Sequence, residues 1–324
     1  MLFLNRKTPE QEQNLPRAAS MQGSLAWTDD SYRPSGAVLN EEKAVAAKRV
    51  CGSIECESLR ISPWRNRKRP IFEDRWGCSG RCILSMVRAA VRRETVEQDA
   101  AHPVPHRHRV PLGLVLLAQG WITHSQLQQA LEAQRTRGGR IGDCLVQECS
   151  VEPAQITRGL CMQWSCPVLS AGGFTPRTMA MVAPRIFIEE FGLLPLRVAG
   201  SRLLYLGFED RLDASAAFAL EQMTELKVES GLVPAEEYAA ARQNLLEYEG
   251  VPVKTEHTDE PDALAARITA ILEQKQPVAS KLVRMHQYLW LRLWLEAGAR
   301  NGASPLPHNR EDMIDYVFTT GARS

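Results

Sequence analysis

A chain of 324 residues has room for two or three domains, and its 44% apolar and 24% charged residues are ordinary for a soluble globular protein. The net charge of +1 says nothing globally but hides a local asymmetry: from Arg60 to Arg93 there are ten Arg or Lys against Glu73 and Asp74 only. No stretch gives about 18 uninterrupted apolar residues for a membrane span, and the opening MLFLNRKTPEQ lacks the features of a signal peptide. A cytoplasmic location is therefore expected, where eight clustered thiols more often bind metal than form disulfides.

Residues 1–48 mix Pro, Gln, Ser, Asp and Glu without periodicity and read as disordered. Residues 49–94 carry Cys51, Cys56, Cys78 and Cys82 in a C-x4-C, x21, C-x3-C pattern. Two close pairs are the arrangement of a structural four-thiolate zinc site, and Gly52 and Gly77 stand beside the sulfurs where tight turns can be needed. Trp64, Phe72 and Trp76 are candidates for a minimal core, and four unrelated thiols are the alternative. ILSMVRAAVRRE then places Ile83, Val87, Ala90 and Val91 on one helical face. Its basic face joins Arg65, Arg67, Lys68 and Arg69 in a positive region that suits nucleic acid or is simply solvated. Residues 95–109 read as a linker, in which His102, His106 and His108 are either metal ligands or plain exposed side chains.

A 24-residue pattern then occurs twice, 29 positions apart: PLGLVLLAQGWITHSQLQQALEAQ from Pro111 to Gln134, and RIGDCLVQECSVEPAQITRGLCMQ from Arg140 to Gln163. Leu112-Gly113 matches Ile141-Gly142, Leu127 matches Ile156, Leu131 matches Leu160 and Gln134 matches Gln163. Two copies are too few for a solenoid and suggest a pseudo-symmetric small domain with a two-sided ligand site. Each copy reads as helix, stop, helix. In the first, Gly120 is the stop, Thr123 and Gln126 form a capping box, and Ile122 and Leu127 staple the entry. In the second, Val151 and Ile156 are the staple, Pro153 stands at N1 and Glu152 is a poor cap; Cys149 replaces the glycine, so that stop is strained or differently shaped. Cys144, Cys149, Cys161 and Cys166 make a second set of two C-x4-C pairs, either a second metal site or small hydrophobes on helix faces. After Gln163 come a helix in APRIFIEEFG, strands LLPLRV and RLLYLGF joined at Ala199-Gly200-Ser201, helix DASAAFALEQMTE, strand LKVESGLV and helix PAEEYAAARQNLLEY. That order indicates an α+β domain over 110–248.

The stretch from about 111 to 248 resembles the N-terminal domain of type II secretion and type IV pilus assembly ATPases, the GspE-N or MshEN family. The resemblance rests on the doubled R-L-G-x-x-L-V-x-x-G and L-x-x-x-L-x-x-Q pattern and on the order of the later elements. It implies a secretion- or pilus-type partner and, for some members, binding of cyclic di-GMP with one half of the ligand per copy. On that basis the candidate ligand residues are Arg140, Ile141, Gly142, Asp143, Ile156, Leu160 and Gln163 in copy two. Copy one offers Leu112, Gly113, Leu127, Leu131 and Gln134, with Arg109 as a stand-in because Pro111 occupies the motif arginine's place. The chemistry suits a two-fold symmetric dianion: backbone N–H groups for phosphate, Arg for a guanine edge, branched side chains for the purine faces and Gln amides for polar groups.

Residues 249–262 read as an acidic linker, and 263–324 as a C-terminal helical segment. ALAARITAILEQK is amphipathic, whereas KLVRMHQYLWLRLWLEA is apolar nearly all round and is expected to pack on a domain, dock a partner helix or touch a membrane surface peripherally. No G-x-x-x-x-G-K-[ST], H-E-x-x-H or G-x-S-x-G occurs, so the ATPase that normally follows such a domain is missing. The expected fold is α+β: the tandem helix pairs, then a hairpin and αβα unit, with a zinc module before and helices after. The expected function is a non-catalytic signalling or adaptor protein. A zinc-dependent nucleic-acid-binding protein and a purely structural docking module are the alternatives.

Overall fold

The computed structural model describes residues 51–56, 71–100, 109–200, 202–296 and 309–319, with side chains of the first helix given as far as Thr95. The N-terminal 48 residues, Trp64, Arg65, Arg67, Lys68, Arg69, His102, His106 and His108 lie outside the described residues.

Two short strands, β1 (Ile71–Phe72) and β2 (Arg75–Trp76), lead into helix α1 (Gly80–Ala100). Four helices follow: α2 (Leu112–Ala118), α3 (His124–Arg137), α4 (Ile141–Cys149) and α5 (Pro153–Trp164). A single turn, α6 (Pro176–Met179), and α7 (Arg185–Phe191) precede β3 (Leu194–Ala199), β4 (Leu203–Phe208), α8 (Ala214–Thr224), β5 (Lys227–Leu232) and α9 (Ala235–Glu247). The chain closes with β6 (Val253–His257), α10 (Pro261–Lys275), β7 (Ala279–Met285), β8 (Tyr288–Trp294) and β9 (Met313–Thr319). The result is a mixed α+β fold with small mixed sheets, in the orders β3-β4-β5 and β6-β9-β8-β7 beside the β1-β2 pair.

Local chemistry explains the middle elements. Thr123 caps α3 reciprocally: its side chain accepts from the Gln126 N–H while the Gln126 amide oxygen accepts from the Thr123 N–H. Pro153 occupies the first turn of α5, where its missing N–H costs nothing. The β3–β4 hairpin turns at Gly200, whose φ of +57° suits glycine. Gly120 takes the left-handed conformation after α2, but the matching stop after α4 falls on Ser150 rather than on Cys149. The strain expected of a non-glycine stop is therefore carried one residue later, at a cost of about 1–2 kcal/mol.

The C-terminal third departs from expectation. Residues 279–294 are not a helix but the antiparallel pair β7–β8, which turns at His286 (φ +52°), and the segment read as an acidic linker contains β6, parallel to β9. The physical reason is that β8 is buried along its whole length, so its period of two cannot be read from hydropathy. β6, by contrast, is a short and mostly exposed edge strand with no apolar pattern to mark it. Leu289, Leu291 and Leu293 face one core with Leu282 and Phe318, where Ile83, Val87 and Val91 of α1 meet Leu264, Ile268 and Leu272 of α10. Tyr288, Trp290 and Trp294 face the other core, with Met285, Val317, Phe187 and Met179. Side chains from residues 72–91 and 264–318 thus share one core although 172 residues separate the segments in sequence. The all-round apolar run buries both its faces within this fold, which leaves the expected helix for a membrane or a partner without its basis.

On the second face Arg292 lies opposite Asp315, with both side chains almost wholly buried. Arg292 Nε and Nη2 donate to Asp315 Oδ1 and Oδ2 at 2.8 and 2.7 Å, and Nη1 donates to the Val182 carbonyl at 3.2 Å. A polar junction lies at the β7–β8 turn. His286 Nε2 sits 2.6 Å from Asp213 Oδ2, while Asp213 Oδ1 caps α8 by accepting from the Ala216 N–H. Burial works against the Asp213 carboxylate, but the His286 contact and the cap outweigh it and hold its carboxyl below the ordinary value. Glu256 is likewise depressed, chiefly by the Arg267 guanidinium bound to it. For carboxyls depressed in the folded state the unfolded chain binds more protons near pH 4, so their stabilisation is present above that pH and lost below it. Thermal melts should fall as pH drops below about 4, and Asp213→Asn should flatten part of that fall; an unchanged acid profile in the variant would contradict the assignment.

A four-thiol metal centre and a paired-motif surface

The first site is built where the chain returns on itself. Cys51 bridges to Trp76, with the Gly52 N–H donating to the Trp76 carbonyl at 2.8 Å, so the first cysteine pair is laid against β2. Ser79 then caps α1 by accepting from the Cys82 N–H, which sets Cys82 in the first helical turn and Cys78 just before it. Gly77 is required by close approach: a Cβ there would stand 2.2 Å from Ile83 Cδ1. The four Sγ atoms all lie within 4.8 Å of one another, with Cys56 to Cys78 at 3.6 Å and Cys78 to Cys82 at 3.5 Å. A tetrahedral ion with metal–sulfur bonds of about 2.3 Å places its sulfurs about 3.8 Å apart, so these residues fit one.

Electrostatics agree. Burial, then hydrogen bonds from Cys56, Cys82 and Cys51, push the Cys78 thiol up to about 12. That burial favours the protonated Cys78 thiol, and a bound divalent ion reverses the balance by stabilising the thiolate. The Cys78 N–H also points at Cys51 Sγ, 3.4 Å away, a backbone donor of the kind that supports a bound thiolate. Cys51, Cys56, Cys78 and Cys82 are therefore a cluster able to chelate a metal ion. Among the described residues no other group of His, Cys, Asp or Glu gathers in this way, and Cys144, Cys149, Cys161 and Cys166 do not. Cys149 Sγ instead donates to the Gln126 carbonyl, and Cys144 and Cys161 are buried as small hydrophobes. Of the basic residues on α1, Arg88 pairs with Asp262 and Arg93 with Glu73 and Glu94, which leaves less positive charge for a polyanion.

The second site is the doubled pattern. Its two copies exchange partners: α2 packs on α5, and α3 on α4, so each copy's first helix pairs with the other copy's second. Corresponding positions make corresponding contacts. A Cβ on Gly113 would meet Leu127 at 2.5 Å, and one on Gly142 would meet Ile156 at 2.9 Å. The glutamines follow the exchange as well. Gln134 Nε2 donates to the Gly139 carbonyl at 2.9 Å, just before copy two, and Gln163 Nε2 donates to the Val110 carbonyl at 2.7 Å, just before copy one. Val110 and Gly139 are themselves 29 positions apart. Each glutamine amide that sequence reasoning offered to a ligand thus already anchors the start of the other copy.

Leu112, Gly113, Gly142 and Ile156 are buried, Leu127, Ile141 and Leu160 are half-buried, and Leu131 and Asp143 are exposed. The arginines differ in setting. Arg140 Nη1 lies 3.1 Å from Asp210 and 3.7 Å from Glu209, in the loop after β4. The Arg109 guanidinium carbon lies over the Trp164 ring, 3.5 Å from its centroid, at the end of α5. Sequence reasoning missed Glu209, Asp210 and Trp164. Two adjacent carboxylates after a strand end and an aromatic directly after the second motif glutamine were their only local signals.

No family model matches the chain, and no curated protein does. Among solved structures, one of MshE with cdg is similar at 25% identity, covering 42% of this chain and 99% of that chain, with a TM-score of 0.36. One of the N-terminal domain of XpsE is similar at 15% identity, covering 43% of this chain and 94% of that chain, with a TM-score of 0.31.

Proposed function

We propose that this protein is a non-catalytic adaptor in which a four-thiolate zinc ion braces the scaffold and the paired helical motifs receive cyclic di-GMP. Zinc follows from the donor set, since four soft sulfurs within 4.8 Å of one another select it over hard cations. The ligand reading is carried by one observation: the two copies make the same glycine-to-branched contact and exchange the same glutamine anchor. Two equivalent half-sites suit a ligand with two equivalent halves. Guanidinium groups near each copy, Arg109 and Arg140, supply donors for guanine or phosphate. Docking to a secretion- or pilus-type partner in the cytoplasm belongs to this reading through the sequence resemblance. No described helix is long and apolar enough to cross a membrane.

Calorimetric titration of the full chain with cyclic di-GMP tests the ligand. Saturable heat is expected, weakened about 5- to 150-fold by Arg140→Ala, the range for losing one bidentate arginine–guanine contact. No heat at high micromolar ligand, or binding indifferent to that substitution, sinks the reading.

A further inference from the structure

The two half-sites are unequal in sequence, and the structure supplies what copy one lacks. Pro111 stands where copy two has Arg140, and it cannot offer a guanidinium. Its φ of −54° sets the direction in which the chain enters α2, and the Gln163 amide pins the carbonyl of the preceding Val110. Immediately upstream, Arg109 is laid on the Trp164 ring at 3.5 Å. The anchor and the platform come from neighbouring residues, Gln163 and Trp164, so the last turn of α5 fixes both the backbone and the guanidinium of copy one.

The chemistry of that stack is specific. A guanidinium resting on an indole keeps its five N–H donors in its own plane and turns its other face outward. Arg109 is exposed, and among the described residues it has no carboxylate partner, whereas Arg140 has Asp210 and Glu209. Trp164 is also peculiar to one copy: the position matching it in copy one is Arg135. The aromatic is thus present only on the side whose motif arginine is gone.

We propose that the Arg109–Trp164 stack is the recognition element of the copy-one half-site, with Trp164 the platform that orients Arg109 for one guanine of a cyclic dinucleotide. The in-plane donors of Arg109 read the guanine at its O6 and N7 edge, while stacking on the guanidinium's outer face adds affinity that any base would share. The inference rests on the cyclic di-GMP reading above.

The test is calorimetry of the full chain with cyclic di-GMP, run on the unaltered protein, Arg109→Ala, Arg109→Lys, Trp164→Ala, Trp164→Phe and the Arg109→Ala/Trp164→Ala double variant. Removing Arg109 should weaken binding about 5- to 150-fold. Arg109→Lys should not rescue it, because an ammonium has no planar fork. Trp164→Ala should weaken binding in the same direction and Trp164→Phe should recover most of it. The double variant should be no weaker than the Arg109 single variant, as expected when one residue acts through the other. Arg109 is on the surface, so its variants report on binding without disturbing the fold. Additive losses, or Arg109 and Trp164 variants that bind like the unaltered chain while Arg140→Ala loses affinity, overturn this assignment and leave the receptor reading standing. No binding by the unaltered chain overturns both.

Discussion

Stripping the metal should lower the melting temperature by about 8–16 °C. That range corresponds to losing about 4 kcal/mol, the stabilisation given by free metal at about 1,000 times its dissociation constant, in a domain of 150–250 residues. The gross binding free energy of a structural four-ligand zinc site is larger still, on the order of 10–16 kcal/mol at pH 7. The effect should not stay local. Cys78 just precedes α1 and Cys82 lies in its first turn, and α1 supplies Ile83, Val87, Ala90 and Val91 to the core shared with α10 and the β6-β9-β8-β7 sheet. Beyond the metal, β1 is tied to this sheet through the Glu73 N–H to the Ser280 carbonyl and the Ser280 hydroxyl to the Ile71 carbonyl. Cys78→Ser should reproduce the loss, whereas Cys149→Ser, outside the cluster, should melt like the unaltered chain apart from a small packing cost. The checks are elemental analysis, which should give about one zinc per chain, and melting with and without a chelator. A metal-free chain with the same melting temperature contradicts the centre.

Asp315→Ala should cost about 3–5 kcal/mol. The Arg292 guanidinium is 2% exposed, and its only carboxylate partner among the described residues is Asp315, itself fully buried. Deleting the acid leaves a cation in the core with the Val182 carbonyl and the Trp290 ring as its remaining neighbours, and an uncompensated buried charge is what makes such deletions severe. Removing both charges together behaves differently. Arg292→Met with Asp315→Leu should recover most of the loss, because the pair's attraction is largely offset by the cost of taking both ions out of water. Chemical denaturation of the two single variants and the double variant measures this. Equal losses in the single and double variants would mean that packing at these positions, not charge, sets the stability.

How much of this was legible depended on whether the signal was local. The capping box at Thr123 and Gln126, proline at the start of α5, the turn at Gly200 and the two cysteine pairs are written within a few residues, and each formed where expected. The β7–β8 pair was not legible. A strand buried on both faces carries no alternation, and Leu289 to Trp294 satisfies a helical pattern as well as an extended one. Nor was the sharing of one core by Val87 and Leu272, since nothing near either residue names the other. The doubled motif was visible as a repeat, but its exchange of partners was not. Matching Gln134 to Gln163 shows that they are equivalent, while only the structure shows that each holds the other copy's start. Arg140 shows the same limit: its place in the motif is local, and its pairing with Asp210 joins positions 70 residues apart.

A single cyclic di-GMP molecule should engage both copies at once. Amide hydrogen exchange of the full, zinc-loaded chain with and without cyclic di-GMP measures this. Added protection is expected in two separate segments, residues 109–117 and 139–146, with little change in the β6-β9-β8-β7 sheet. Protection of one segment alone, or none at saturating ligand, would contradict it.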